Sequence, residues 1–235
     1  MGMGIEPAAM CDASMLSRLL QLASPALPIG AFSYSQGLEA AITNGQVHDA
    51  DSTYDWIAAG LTLLAGGEAV LLRCQHQAWQ AGNHLQLTQR NNTLLALRES
   101  AELRLETEQM GGSLARLAHQ LKWGTDDERT QLSTMQPIAL ATAYAYAAHA
   151  LRIPELACLT AWLYSWIENQ VSAALKAVPL GQTAGQLILY RLHQPISQAA
   201  QLAMQTDETD LSTFAPLLGV LSARHETQYS RLFRS

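Results

Sequence analysis

Apolar residues along this chain recur mostly at three- and four-residue intervals, the period of a helix with one buried face. Leu16, Leu19 and Leu20 open the pattern and predict a first helix near residues 14–23. The next stretch, Ser24-Pro25-Ala26-Leu27-Pro28-Ile29-Gly30, holds two prolines and a glycine and reads as a rigid irregular turn. Ser33, Tyr34 and Ser35 supply hydroxyls to cap a second helix over 36–44, which Asn44-Gly45 ends. Further helices are predicted over 50–64, 69–80, 84–98 and 99–122. Within these, Gly66-Gly67 and Gly111-Gly112 mark places where a helix breaks or a neighbour comes close. Residues 124–129 read as a polar loop. Residues 138–151 are Ala-rich and apolar on nearly every face, which predicts a central helix. Pro154 suits the first turn of the next helix, and Pro179-Leu180-Gly181 separates that helix from another over 182–205. A last helix is expected from near Asp210, with Phe214, Leu217, Leu218 and Leu221 on one face. The sum is an all-α, single-domain bundle of about nine or ten helices. No internal repeat or domain boundary interrupts it.

Composition supports this reading. Leu and Ala dominate while Val occurs five times, a balance that favours helix over sheet. Apolar residues make up 49% and charged residues 14%, which argues against disorder and implies surface hidden in a core or against partners. The net charge is −6, and twelve of the 14 basic residues are Arg. No basic stripe suited to nucleic-acid phosphates stands out, so no nucleic-acid partner is expected. Cys11, Cys74 and Cys158 are far apart and form no CxxC. They read as reduced cysteines of a cytoplasmic protein rather than a disulfide framework or zinc site. Residues 1–13 lack the cationic start and apolar run of a signal peptide, and residues 1–12 read as a loose tail. The most span-like stretch, 156–178, is interrupted by Glu168, Asn169, Gln170 and Lys176. It reads as a buried core helix, and no membrane partner is expected.

Catalytic signatures are missing: there is no P-loop, GxSxG, HExxH or helix-opening GxGxxG. His48, His76, His84, His119, His149, His193 and His225 include no pair at the i+3 or i+4 spacing that places two ligands on one helical face. An unrelated helical enzyme would need a polar, titratable pocket for which the motifs offer no candidate. No catalytic, cofactor-binding or metal residue is assigned.

Three segments carry more. They are Leu19 to Glu39 (LLQLASPALPIGAFSYSQGLE), Tyr164 to Gln182 (YSWIENQVSAALKAVPLGQ) and Ser222 to Ser235 (SARHETQYSRLFRS). In order and in spacing across nearly the whole chain, they resemble the N-terminal, central and C-terminal signatures of the urease accessory protein F family. The resemblance implies an all-α homodimer that is not an enzyme. It implies a place between accessory protein D (H in some organisms) and the GTPase accessory protein G, in the complex that carbamylates and nickel-loads apo-urease. Nickel would pass in transit rather than bind stably. The alternative it implies is a regulator of the partner's GTP hydrolysis, a role that often uses an arginine finger.

Carried over residue by residue, the resemblance assigns a D/H-facing set: Phe32, Tyr34, Arg224, His225, Glu226, Tyr229, Arg231, Leu232, Phe233 and Arg234. It also assigns Glu168, Lys176, Pro179 and Gln182 to a G-facing side or dimer face. Arg and aromatic residues are what interface cores favour, so the segment 223–235 is expected to be loose alone and to order on the D/H partner, with a terminal helix packed on its own core as the alternative. Phe32 is expected to receive Arg231 in a cation–π contact. Lys176 reads either as a cation at a helix C-terminus or as a charge facing G. Glu168, Asn169 and Gln170 read as an i, i+4 network, with an internal water path or the dimer seam as alternatives.

Overall fold

The computed structural model describes residues 12–235. The expected N-terminal tail therefore lies almost wholly outside the described residues. Eleven α-helices and two short 3-10 turns follow one another, and no strand occurs among the described residues. The helices are α1 (Ala13–Leu22), α2 (Leu38–Thr43), α3 (Ala50–Gly66), α4 (Glu68–Gln80), α5 (His84–Ala96), α6 (Ala101–Gln120), α7 (Asp126–Thr134), α8 (Leu140–Ala150), α9 (Glu155–Ala177), α10 (Gln182–Gln205) and α11 (Pro216–His225). Gly67 alone separates α3 from α4; taken as one interrupted helix, Ala50–Gln80, the pair brings the count to ten.

Local chemistry explains the boundaries. Asp49 and Ser52 form a reciprocal capping box at the start of α3. Asn83 and Ser100 cap α5 and α6 with their side-chain oxygens. The stretch 124–129 is not a loop throughout. Thr125 and Glu128 form a second capping box, and α7 begins at Asp126. The second helix starts later than its apolar pattern suggests, because Gln36 and Gly37 both take positive φ. The last helix begins at Pro216 rather than near Asp210. Phe214 lies before it and is exposed, so it shares no helical face with Leu221.

The Ala-rich helix α8 is the centre of the core. Every residue from Ala141 to Ala148 is buried, and α4 and α6 pack against it. Gly111 explains why α6 runs straight through its glycine pair. A Cβ there would run into the backbone of Ile138, Ala139 and Leu140 at the entry to α8. Asn91 pins the same entry, donating to the Pro137 carbonyl at 3.0 Å and accepting from the Ala139 amide at 2.9 Å. The run Ala50–Gln80 is long and apolar enough to cross a membrane by composition, and half of its most apolar window is buried within the bundle. That ranking differs from the expectation that 156–178 is the most span-like segment.

A second, smaller apolar cluster sits beside the main core. Leu38, Ala40 and Ala41 of α2 meet Ala173 and Ala174 of α9, Leu221 of α11, Val47, Val178 and Phe233. This cluster is the platform on which the candidate site is built.

Candidate partner-binding surface

The loop between α1 and α2 is held by residues of α9. Asn169 Nδ2 donates to the Tyr34 carbonyl at 3.1 Å, and Gln170 Nε2 to the Ser35 carbonyl at 3.1 Å. Trp166 Nε1 donates to Gln36 Oε1. The polar residues that interrupt α9 thus satisfy loop backbone that would otherwise be buried without partners. Only Glu168 follows the i, i+4 expectation, accepting from the Ser172 hydroxyl at 3.1 Å.

The C-terminal segment then lies along this loop. The Arg234 amide donates to the Ser33 carbonyl at 2.8 Å, and the Ser35 amide to the Ser235 carbonyl at 2.9 Å. Three carboxylates hold the rest. Glu39, buried on α2, accepts the amides of Leu232 at 2.7 Å and Phe233 at 2.9 Å. Glu102 on α6 accepts from Arg231. Glu106, one turn on, accepts from the Ser235 hydroxyl at 2.6 Å and from Gln36 Nε2. His225 sits fully buried between two of them, with Nδ1 2.7 Å from Glu102 and Nε2 3.2 Å from Glu39. Both contacts are hydrogen bonds to ionised carboxylates only when each ring nitrogen carries a proton. Burial pushes the Glu106 carboxyl up to about 7, against the two hydrogen bonds it receives. Burial likewise raises the Tyr34 phenol, whose Oη donates to Gln109 Oε1 at 2.6 Å.

This arrangement corrects several expectations. Residues 223–235 do not form a separate tail. Their start lies inside α11, and their end packs on α2, α6 and the 33–35 loop. Arg231 pairs with Glu102 rather than with Phe32. The cation–π contact at the tail is instead Lys176 Nζ, 5.6 Å from the Phe233 ring centroid. Tyr34, His225 and Phe233 face inward and are buried. Glu226 caps α6, accepting from the Ala101 amide at 3.1 Å.

What remains outside is a patch assembled from both ends of the chain. Phe32 is 68% exposed, Leu232 is 70% exposed and Tyr229 is fully exposed; Arg224, Arg231 and Arg234 are exposed on the same C-terminal segment, whose Arg234 amide meets the Ser33 carbonyl next to Phe32. Lys176, Pro179 and Gln182 are exposed at the corner between α9 and α10, next to the smaller apolar cluster through Val178 and Leu180. Glu168 is half-buried on α9. The sequence reading missed Glu39, Glu102 and Glu106. A signal existed for two of them: Glu102 and Glu106 are like charges at i, i+4, a repulsive spacing that calls for cations or donors between them.

Among the described residues, no group of three or more His, Cys, Asp or Glu side chains converges as a metal site. Residues 47–193 match the family model for UreF. The urease accessory protein UreF of Ralstonia pickettii (strain 12J) is 52% identical over 229 residues, covering 96% of this chain and 100% of its own length. The chain belongs to the UreF family. The family-model match includes the central segment 164–182, and the relative's coverage extends the likeness to nearly the whole chain. As a UreF-family member, it is a urease accessory protein that works with other accessory proteins.

Proposed function

We propose that this UreF-family chain is a non-enzymatic adaptor. It joins accessory protein D/H to the GTPase accessory protein G as a cytoplasmic homodimer in the complex that inserts nickel into urease. Nickel is cargo in transit here, not a resident cofactor. One observation carries the reading. Three segments far apart in sequence converge on one unit, and that unit leaves Phe32, Tyr229 and Leu232 exposed beside several arginines. Clustered aromatic and Arg side chains over a well-ordered base are what a protein partner's hot spot requires. The D/H partner takes this patch, and the corner of Lys176, Pro179 and Gln182 faces G or the dimer axis.

The test is co-purification with tagged D/H and G. A Phe32→Ser/Tyr229→Ser/Leu232→Ser variant should keep the wild-type melting temperature and lose D/H capture. Undiminished capture by a folded variant would reject the assignment. The regulatory reading draws on Arg224, exposed on the last turn of α11. GTP hydrolysis by G with wild-type chain or with Arg224→Ala separates the two readings. Hydrolysis that is the same with either chain, and the same without one, favours the adaptor alone.

A further inference from the structure

Beneath the 24–32 turn, between α6, α8 and α9, lies a cavity of about 130 Å³. Its walls are largely apolar, with Leu22, Leu27 and Met110 among them. Besides Arg98 Nε, two donors of its lining are unmet. Tyr144 Oη and Trp162 Nε1 have no hydrogen-bond partner among the described residues, although the side chains are 2% and 7% exposed. Their rings meet edge to face, 5.0 Å between centroids at 71°, so each holds the other in place. Ser165 Oγ lies near Tyr144 and favours its ionised form, but it makes no hydrogen bond of good geometry with the phenol and spends its own proton on the carbonyls of Ala161 at 2.8 Å and Ala23 at 3.3 Å. Leaving a buried donor unmet costs about 1–3 kcal/mol, so two on one cavity, carried by rings in contact, point to an acceptor within it.

We propose that this cavity binds a small uncharged molecule with a ring-sized apolar body and one hydrogen-bond-accepting oxygen, received by Tyr144 and Trp162. Size fits the body: an apolar cavity of about 150 Å³ is enough to hold benzene. Charge argues against an anion. Glu68, Glu106 and Glu168 line the cavity against its one guanidinium, Arg98, which pairs with Glu68 through Nη2 and keeps a buried Nε without a partner. The apolar lining and the two N–H and O–H donors argue against a metal cation. The site goes beyond the adaptor role and does not depend on it.

Cyclohexanone serves as the probe, with methylcyclohexane as the same-sized control lacking an acceptor. Cyclohexanone should raise the melting temperature of the full chain in a concentration-dependent way and appear in the cavity of a soaked crystal, its oxygen facing Tyr144 and Trp162. Tyr144→Phe should weaken cyclohexanone roughly tenfold, the loss of about one hydrogen bond, and should leave methylcyclohexane unchanged. Tyr190→Phe, an exposed tyrosine on α10, should bind like wild type. Without probe, Tyr144→Phe should be no less stable than wild type, because the hydroxyl it removes is unpaired. If that variant fails to fold, Trp162→Phe carries the same comparison. A cavity filled by water alone at saturating probe, or equal cyclohexanone affinity in wild type and Tyr144→Phe, would overturn the proposal.

Discussion

Glu106 sets a pH dependence at the scale of single residues. Its carboxyl is pushed up to about 7 by burial, while the unfolded chain has an ordinary value of 4.5. Between those values the folded protein holds the proton more tightly, so the stabilisation is complete below pH 4.5 and is lost as pH rises through 7. His76 acts in the opposite sense. It is buried, Nε2 donates to the Ile153 carbonyl at 3.0 Å, and burial lowers its affinity for a second proton. Its contribution is complete above pH 6.5 and is lost on acidification. Comparing wild type with Glu106→Gln isolates the first effect. From pH 5 to pH 8 the variant should gain on the wild type by up to about 3 kcal/mol in urea unfolding. A constant difference would show that Glu106 titrates normally. His225 gives a test of packing at this same scale. His225→Ala leaves Glu39 and Glu102 without the ring between them, and should cost about 3 kcal/mol at neutral pH. A loss below about 1 kcal/mol would mean that Arg231 and the tail amides already satisfy both carboxylates.

At the scale of elements, most helices were legible because their apolar period and caps agree. Helix α10 follows its sequence pattern from Gln182 to Gln205 despite Pro195. The misses have physical reasons. Helix α7 carries little apolar signal, and its capping box is the only local mark of its start. The onset of α2 depends on backbone φ at Gln36 and Gly37, which periodicity does not report. The docking of residues 231–235 depends on carboxylates up to 194 positions away, beyond any local pattern. Gly111 gives a test at this scale. Gly111→Ala gains about 1 kcal/mol of helix propensity but drives a methyl into the backbone at the start of α8, and should cost roughly 2 kcal/mol or more net. A neutral or stabilised variant would show that α6 and α8 can separate. The docked segment 231–235 has its own test. Glu39→Ala should expose residues 231–235 to carboxypeptidase while the bundle stays folded. Unchanged resistance would mean that the Ser33, Ser35 and Glu106 contacts suffice.

For the whole molecule, the three segments that carry the family resemblance occupy one corner of the bundle, although the longest separation among them exceeds half the chain. Their convergence was not visible in sequence, where the tail read as a free arm and Phe32 as the seat of Arg231. In the fold, inward-facing members of the set (Tyr34, His225, Phe233) build the base, and outward-facing members (Phe32, Tyr229, Leu232) are left for a partner. That division is the central claim, and hydrogen–deuterium exchange on the free chain and on its D/H complex tests it most directly. Amides of 232–235 should be protected in the free chain already, and complex formation should add protection chiefly around Phe32 and Tyr229. Rapid exchange at 232–235 in the free chain, with protection gained there only on binding, would contradict it.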